Sequence, residues 1–322
     1  MSDREVVAAI DIGGTKTAAA LVDRSGEILA RAAAPTPGRE GAAAILATAA
    51  GLVRDLSADA QGVTVRALGI GSAGVIDPLA GRVVGSTDVL AGWTGTPIVD
   101  RLATLTGLPA SVINDVHAHA LGEAAYGAAQ GFSTVLVVGV GTGVGGAFVE
   151  DGRVRPGAHS AAGHVGHLSS VYAGSLPCSC GRVGHLEAIA SGPGLHAEYQ
   201  RRSGEHVADF RAVVALAAGG DAHALDVVEL GGAAVGTVVG GLVNVLDPHA
   251  VVIGGGVAGA GDRWWDALRR AVRRDVMPSL ADTPILISTL GGDAPLLGAA
   301  ALAWQGDGLT SPATIPDPEV IS

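Results

Sequence analysis

Positive charge is what this chain has least of. Lysine occurs once, as Lys16, and lysine and arginine together number 20 against 31 acidic side chains, a net charge of −11 over 322 residues. Such a balance gives no general attraction to nucleic acid or to an anionic membrane, so neither is expected as a partner. An anionic ligand must be held locally, by backbone amides or by a metal. The arginine excess over lysine reads as the codon bias of a GC-rich genome. Cysteine is almost as scarce: Cys178 and Cys180 are separated by one serine, which is poor placement for stapling distant segments and argues against a disulfide framework. The opening MSDREVVAAIDIGG has acidic residues and no long apolar run before its glycines, unlike a signal peptide. Later apolar stretches are interrupted by glycine or polar residues before they reach membrane-spanning length. A soluble, cytoplasmic protein is the expectation. Charged residues make up 16% and hydrophobic residues 48%, a globular composition long enough for two domains.

Glycine, by contrast, is abundant, with 50 residues. In EVVAAIDIGGTKTAAALVDRSGEILARAAAP an apolar run ends at a glycine pair, a second run follows, and DRSGE turns the chain into a third. This predicts strand, tight turn, strand, turn, strand. The same grammar returns in STVLVVGVGTGVGGAFVEDGRVRPG, so a duplicated α/β core with a cleft between the halves is expected. Between the two, GAAAILATAAGLVRDL and PIVDRLATLTG have helical spacing, RALGIGSAGVID reads as a buried strand, and PASVINDVHAHALGEAAYG runs from strand into helix. Further on, GGAAVGTVVGGLVNVLDP reads as an apolar helix, HAVVIGGGVAG as a buried strand, and ILISTLGGDAPLLGAAALAW as strand, turn and helix. The tail from Gln305 is rich in Pro, Ser and Thr and is expected to be flexible.

Three loops after buried strands could hold phosphate: DIGGTKT at 11–17, GVGTGVGG at 139–146 and GGGVAG at 254–259. Glycine lets backbone N–H groups approach an anion closely, and hydroxyls such as Thr15 and Thr142 can add bonds. None fits a Walker A loop, and the first two lead into strands, not into the helix of a dinucleotide-binding unit. Each loop alone reads equally well as a tight turn. Asp11, at the end of the first strand, is a candidate to hold Mg²⁺ or its water shell. The remaining concentration of chemistry is GHVGHLSSVYAGSLPCSCGRVGHLE, with His164, His167, Cys178, Cys180, His185 and Glu187 in one stretch. It is either a metal site or a metal-free loop with two reduced thiols.

DIGGTK, the Asn114-Asp115 pair, GTGVGG, the CxCG…LEAIASG run and VVIGGGV, in this order over nearly the whole chain, resemble the ROK family of bacterial sugar kinases and sugar-responsive repressors. The resemblance implies a two-lobed, actin-like and hexokinase-like (ribonuclease H-like) α/β ATPase fold. The expected division is 1–114 plus 292–304 for a small lobe and 115–291 for a large lobe bearing a zinc loop at 164–187. Only ten residues precede Asp11, too few for a repressor's winged helix, which points to the kinase branch. A sugar sensor that has lost catalysis is the alternative.

The resemblance also implies roles. Asp115 would be the general base for the 6-hydroxyl of a hexose or N-acylhexosamine, and Asn114 a sugar ligand; read from the residues alone, a helix cap is the commoner role for such a pair. Asp11, Gly13, Gly14, Thr15, Lys16, Gly141, Thr142, Gly143, Gly254, Gly255 and Gly256 would bind Mg-ATP, with Gly254–Gly256 near the adenine nucleoside. Gly71, Ser72 and Gly74 would lie along the sugar. In the family, a His followed by Cys-x-Cys-Gly-x-x-Gly-Cys binds a structural Zn²⁺. Here His167, Cys178 and Cys180 match and His185 replaces the third cysteine, an exchange compatible with a tetrahedral Cys₂His₂ site. His164, His167 and Glu187 would face the sugar. His164 stands where the family usually has glutamate, as in bacterial N-acetylmannosamine kinases, which makes N-acetylmannosamine the first expected substrate and glucose the second. Val89 occupies the place of a usual sugar-binding asparagine, so Asp88 is expected to supply that contact. A homodimer is expected by analogy with relatives.

Overall fold

The structure, a computed structural model, describes residues 4–87 and 89–306. The chain divides into two compact units. The described residues of the first are 4–87, 89–126, 156–160 and 292–306, and the second comprises 127–155 and 161–291.

In the first unit, β1 (Arg4–Ile12), β2 (Lys16–Val22) and β3 (Ile28–Pro35) form the expected antiparallel meander. Helix α1 (Ala42–Asp59) leads to β4 (Val63–Ser72), the ribbon β5 (Val75–Asp77)–β6 (Arg82–Gly85), α2 (Ile98–Thr106), β7 (Ala110–Asn114) and α3 (Asp115–Tyr126). The sheet order is β3-β2-β1-β4-β7, with β4 parallel to both β1 and β7. The run Val6–Ile10 is buried throughout, as a strand covered on both faces requires. Ile45, Leu46, Ala49, Ala50, Val53 and Leu56 recur at helical spacing along α1 and are buried. They join Ile10, Leu21, Leu68, Val112 and the fully buried Trp93 in one core. The C-terminal helix (Ala294–Gln305) lies directly on β4 and α3: a methyl group on Gly69 would overlap the Ala299 carbonyl, and one on Gly298 the Ala118 carbonyl.

The second unit repeats the plan. Strands β8 (Thr134–Val140), β9 (Val144–Glu150) and β10 (Arg153–Val154) form a meander, its second turn made by Asp151 (φ 49°) and Gly152 (φ 71°). Both central residues at positive φ is what a two-residue hairpin turn favours. After the metal-loop segment come α4 (Glu187–Ala190), α5 (Gly192–Ser203), α6 (Phe210–Ala218), α7 (Ala222–Leu246), β11 (Ala250–Gly254), α8 (Asp262–Asp275) and β12 (Ile285–Ile287). The order β10-β9-β8-β11-β12 repeats the first sheet's pattern of an antiparallel meander followed by parallel strands. The duplicated α/β core expected from the two glycine-punctuated hairpins is therefore present. Helix α7 is long and apolar enough to cross a bilayer by length and composition, yet Val227, Val228, Val235, Val239 and Val243 are core residues of this unit.

Two expected boundaries move. The first unit runs through Tyr126, not to residue 114, because α3 packs on the C-terminal helix, where Gly122 admits the Ala294 carbonyl. Gln305, expected to open the tail, is the last residue of that helix. The rest of the expected tail, from 307 on, lies outside the described residues.

Candidate active site

In the first unit, parallel β1, β4 and β7 end side by side, so their carboxyl ends bring together residues far apart in sequence. Asp11 is paired with Gly71, and Ser72 with both Ile12 and Asn114. Such strand ends are where open α/β sheets bind ligands. Asp115 follows as the first residue of α3. Asn114 Nδ2 donates to the Gly74 carbonyl and to Asp115 Oδ1, both at 2.8 Å, while its Oδ1 accepts from Val116 N at 2.9 Å and His117 N at 3.3 Å. The Asn114 amide thus caps α3 and orients Asp115; the sugar contact expected of it has no free amide hydrogen here. Asp115 Oδ1 also accepts from Val116 N at 2.9 Å. Burial pushes the Asp115 carboxyl above the usual range against these donors. Asp11 rises to about 6, through burial first and the Asp115 charge second, with Lys16 opposing.

The turn after β1 is held from behind. Gly13 N donates to the Lys16 carbonyl at 3.0 Å, and Thr36 Oγ1 donates to the Gly13 carbonyl at 2.8 Å while lying 2.9 Å from Thr17 Oγ1. Thr36 N also bonds the Thr15 carbonyl. Thr36 was not among the sequence candidates; its position at the end of β3 carries no motif. Gly14 faces Val89, whose Cγ1 lies 2.8 Å from where a Cβ would stand. Ser72 Oγ donates to the Ala73 carbonyl, which also accepts Trp93 Nε1. Asp88 lies outside the described residues.

In the second unit the two remaining glycine loops meet. Strands β8 and β11 run parallel and end at neighbouring positions, with Gly254 paired to Gly139. Gly255, at φ 90°, fits where any side chain would strike the Val140 backbone, and a Cβ on Gly141 would stand 4.0 Å from Gly256 N. Thr142 is exposed at the tip of the turn. Gly141 N bonds the Gly143 carbonyl, and the Gly141 carbonyl accepts Gly192 N, both at 2.8 Å.

The ligand atoms of His167, Cys178, Cys180 and His185 all lie within 4.8 Å of one another. Cys178 Sγ is 3.5 Å from His167 Nδ1, and Cys180 Sγ is 3.2 Å from His185 Nδ1. Zinc bound at about 2.3 Å to sulfur and about 2.0 Å to nitrogen sets tetrahedral ligands ~3.5 Å apart, so these four groups fit that metal. The cysteines are free of any disulfide. His164 is exposed, its ring 5.9 Å from that of His167 and its Nδ1 2.8 Å from the Ala161 carbonyl. Glu187 opens α4. Its Oε2 accepts Val144 N at 3.0 Å and its Oε1 accepts the Ser179 hydroxyl at 2.6 Å.

Half-buried carboxylates at the ends of parallel strands, glycine turns in each of two repeated α/β units and a cluster of two cysteines and two histidines make up the site, and the class is a kinase of the actin-like, hexokinase-like ATPase fold. The ROK family model matches residues 7–306. A glucokinase of Halalkalibacterium halodurans is 33% identical over 95% of this chain and 96% of its own length. An N-acetylmannosamine kinase of Escherichia coli is 36% identical over 94% and 99%. The crystal structure of a ROK family glucokinase from Streptomyces griseus, in complex with glucose and AMPPNP, matches with a TM-score of 0.77 at 32% identity, covering 94% of this chain and 100% of that one. The chain belongs to the ROK family and is a sugar kinase, using a small-molecule sugar and ATP.

Proposed function

We propose that this chain transfers a phosphoryl group from ATP to the 6-hydroxyl of a hexose or N-acylhexosamine, with Asp115 as general base. The observation that carries this reading is the state of Asp115: half-buried at the first position of α3, just past β7, steered by Asn114, with desolvation holding its carboxyl above the usual range. A carboxylate poised nearer neutrality is the stronger base for an alcohol proton. Its bonds from Asn114 Nδ2 and Val116 N both fall on Oδ1, and Oδ2 would take that proton. The turns Gly13–Lys16 and Gly141–Gly143 would receive the phosphates, the Gly13 and Gly141 amides holding each turn in shape through their bonds to the Lys16 and Gly143 carbonyls, with Gly254–Gly256 beside the nucleoside. Mg²⁺, when bound near Asp11, supplies charge neutralisation at the phosphates. Gly71, Ser72 and Gly74 would line the sugar, and Asn114 would act on it through Asp115. His167, Cys178, Cys180 and His185 would hold a structural Zn²⁺. The protein would act in the cytoplasm as a homodimer.

N-acetylmannosamine is the first substrate in this reading and glucose the second. With Nδ1 donating to the Ala161 carbonyl, the His164 ring keeps Nε2 for a ligand. Neutral imidazole offers a single uncharged acceptor there, where a glutamate would offer two charged oxygens. The test is ADP release with Mg-ATP and N-acetylmannosamine, N-acetylglucosamine, glucose, mannose and fructose, run beside Asp115→Asn. One sugar should stimulate turnover, and the variant should lose about 10²–10⁴ of kcat while still folding. Turnover unaffected by Asp115→Asn removes the base. Sugar binding without turnover leaves a sensor in place of an enzyme.

A further inference from the structure

Ser179 separates the two cysteines, its hydroxyl 3.9 Å from Cys178 Sγ. Its hydroxyl donates at 2.6 Å to Glu187 Oε1, and the other Glu187 oxygen accepts Val144 N at 3.0 Å. Val144 follows the phosphate-type turn Gly141–Gly143. Gly143 makes room for this arrangement, since a Cβ there would stand 2.8 Å from Glu187 Oε2. Beyond α4, the Gly192 N–H grips the Gly141 carbonyl at 2.8 Å. The turn is therefore held from both of its ends by one short segment, residues 187–192, with the Glu187 side chain gripping one end and the Gly192 backbone the other.

We propose that Ser179 is a positioning residue, tying the metal loop to Glu187 and, through Glu187, to the phosphate-binding turn. A carboxylate on a long side chain samples several rotamers unless donors fix it. Two donors on separate oxygens fix this one, and the 2.6 Å bond is of the short, charge-assisted kind. The hydroxyl can do this because its backbone is immobilised on both sides by Cys178 and Cys180, whose sulfurs face His167 and His185. The loop itself does not depend on the serine side chain: Cys178 N bonds the Arg182 carbonyl at 2.7 Å and Gly181 N the Cys178 carbonyl at 3.0 Å. A change at Ser179 thus leaves the loop's backbone bonds intact, gives up only the long 3.9 Å contact to Cys178 Sγ within the loop, and releases Glu187. The consequence for substrate rests on Glu187 contacting the sugar, as in the function proposed above.

The experiment compares Ser179→Ala, Ser179→Thr and Glu187→Ala with wild type, using bound zinc and melting temperature as controls for an intact loop. Two quantities are read: the hydrogen-exchange rate of the Val144 amide in the ligand-free protein, and KM against kcat for the sugar that supports turnover. In Ser179→Ala the Val144 amide should exchange roughly tenfold faster, and the sugar KM should rise roughly tenfold, the scale of one lost hydrogen bond to a charged group. The value of kcat should change far less. Ser179→Thr, which keeps the hydroxyl, should restore both. A Ser179→Ala protein with normal zinc whose Val144 amide exchanges at the wild-type rate overturns the proposal, whatever its KM. If Glu187→Ala leaves the sugar KM unchanged while Ser179→Ala still speeds Val144 exchange, the tether stands and Glu187 is no sugar contact.

Discussion

Burial lifts Asp11 from the ordinary 3.8 to about 6, the Asp115 charge adding to the rise and Lys16 opposing it. The folded protein therefore holds this proton more tightly than the unfolded chain does. A carboxyl shifted in that direction stabilises the fold at low pH, and its contribution is lost as the pH rises through about 6. Above that pH the chain keeps an ionised, poorly solvated carboxylate next to Asp115, which costs stability and awaits a cation. Asp11→Asn should accordingly be more stable than wild type at pH 8, by on the order of 2 kcal/mol, and the gap should close towards pH 4. Thermal melts at pH 4, 6 and 8 check this. The same variant should lose kinase activity, as expected where stability and function compete for one residue. If Asp11→Asn melts below wild type at pH 8, the carboxylate has a structural partner and the burial argument fails. Asp115 shifts the same way, so the acid limb of kcat/KM should lie above the usual aspartate range.

Between elements, glycine decides how closely helices approach. Gly298 brings the C-terminal helix onto α3 so tightly that a Cβ would overlap the Ala118 carbonyl and crowd the Gly122 backbone. A backbone atom cannot move aside as a side chain can, so Gly298→Ala must separate the helices and disturb α3, which begins at Asp115. A loss of about 3 kcal/mol or more is expected, together with reduced activity. Gly241, inside α7, has nothing within 4 Å of a built Cβ and no positive φ. Gly241→Ala should therefore stabilise, by roughly 0.5–1 kcal/mol. Denaturant unfolding of the two variants gives opposite signs for one chemical change, and equal signs would discredit the packing account. These contacts also mark where the sequence stops being informative. The hairpins around Gly13–Gly14 and Gly141–Gly143 were legible because apolar runs and turn residues are local signals. The membership of α3 in the first unit was not, because it depends on which helix lies across Gly122. The Asn114-Asp115 pair was legible as a site, but its division of labour needed the hydrogen bonds. Ser179 and Thr36 were missed because a hydroxyl gains meaning only from what lies opposite it in space.

At the scale of the molecule, the chain is two units that repeat one plan, each with its own sheet and its own apolar core. The metal group belongs wholly to the second unit. Its loop connects there through Ser170 N to the Gly184 carbonyl, Leu186 N to the Leu168 carbonyl, Ser179 to Glu187, and Glu187 to Val144. Zinc binding to a preformed Cys₂His₂ group contributes directly to folding free energy. Its removal should therefore loosen one part of the second unit before the rest of the protein. With purified protein carrying stoichiometric zinc, a strong chelator should raise hydrogen exchange across 161–203 and in the 139–146 turn. Peptides from β1, β4 and α3 should stay protected at the same temperature. His185→Cys should keep the metal and this protection, because thiolate serves zinc as well as imidazole does. His185→Ala should show the chelated pattern without chelator. Exchange that rises equally in both units would mean that the metal supports the whole fold; protein purified without zinc that already protects 161–203 would mean that the four side chains hold the loop unaided. Loosening confined to the second unit would place the phosphate turn under the control of a metal that need never touch phosphate.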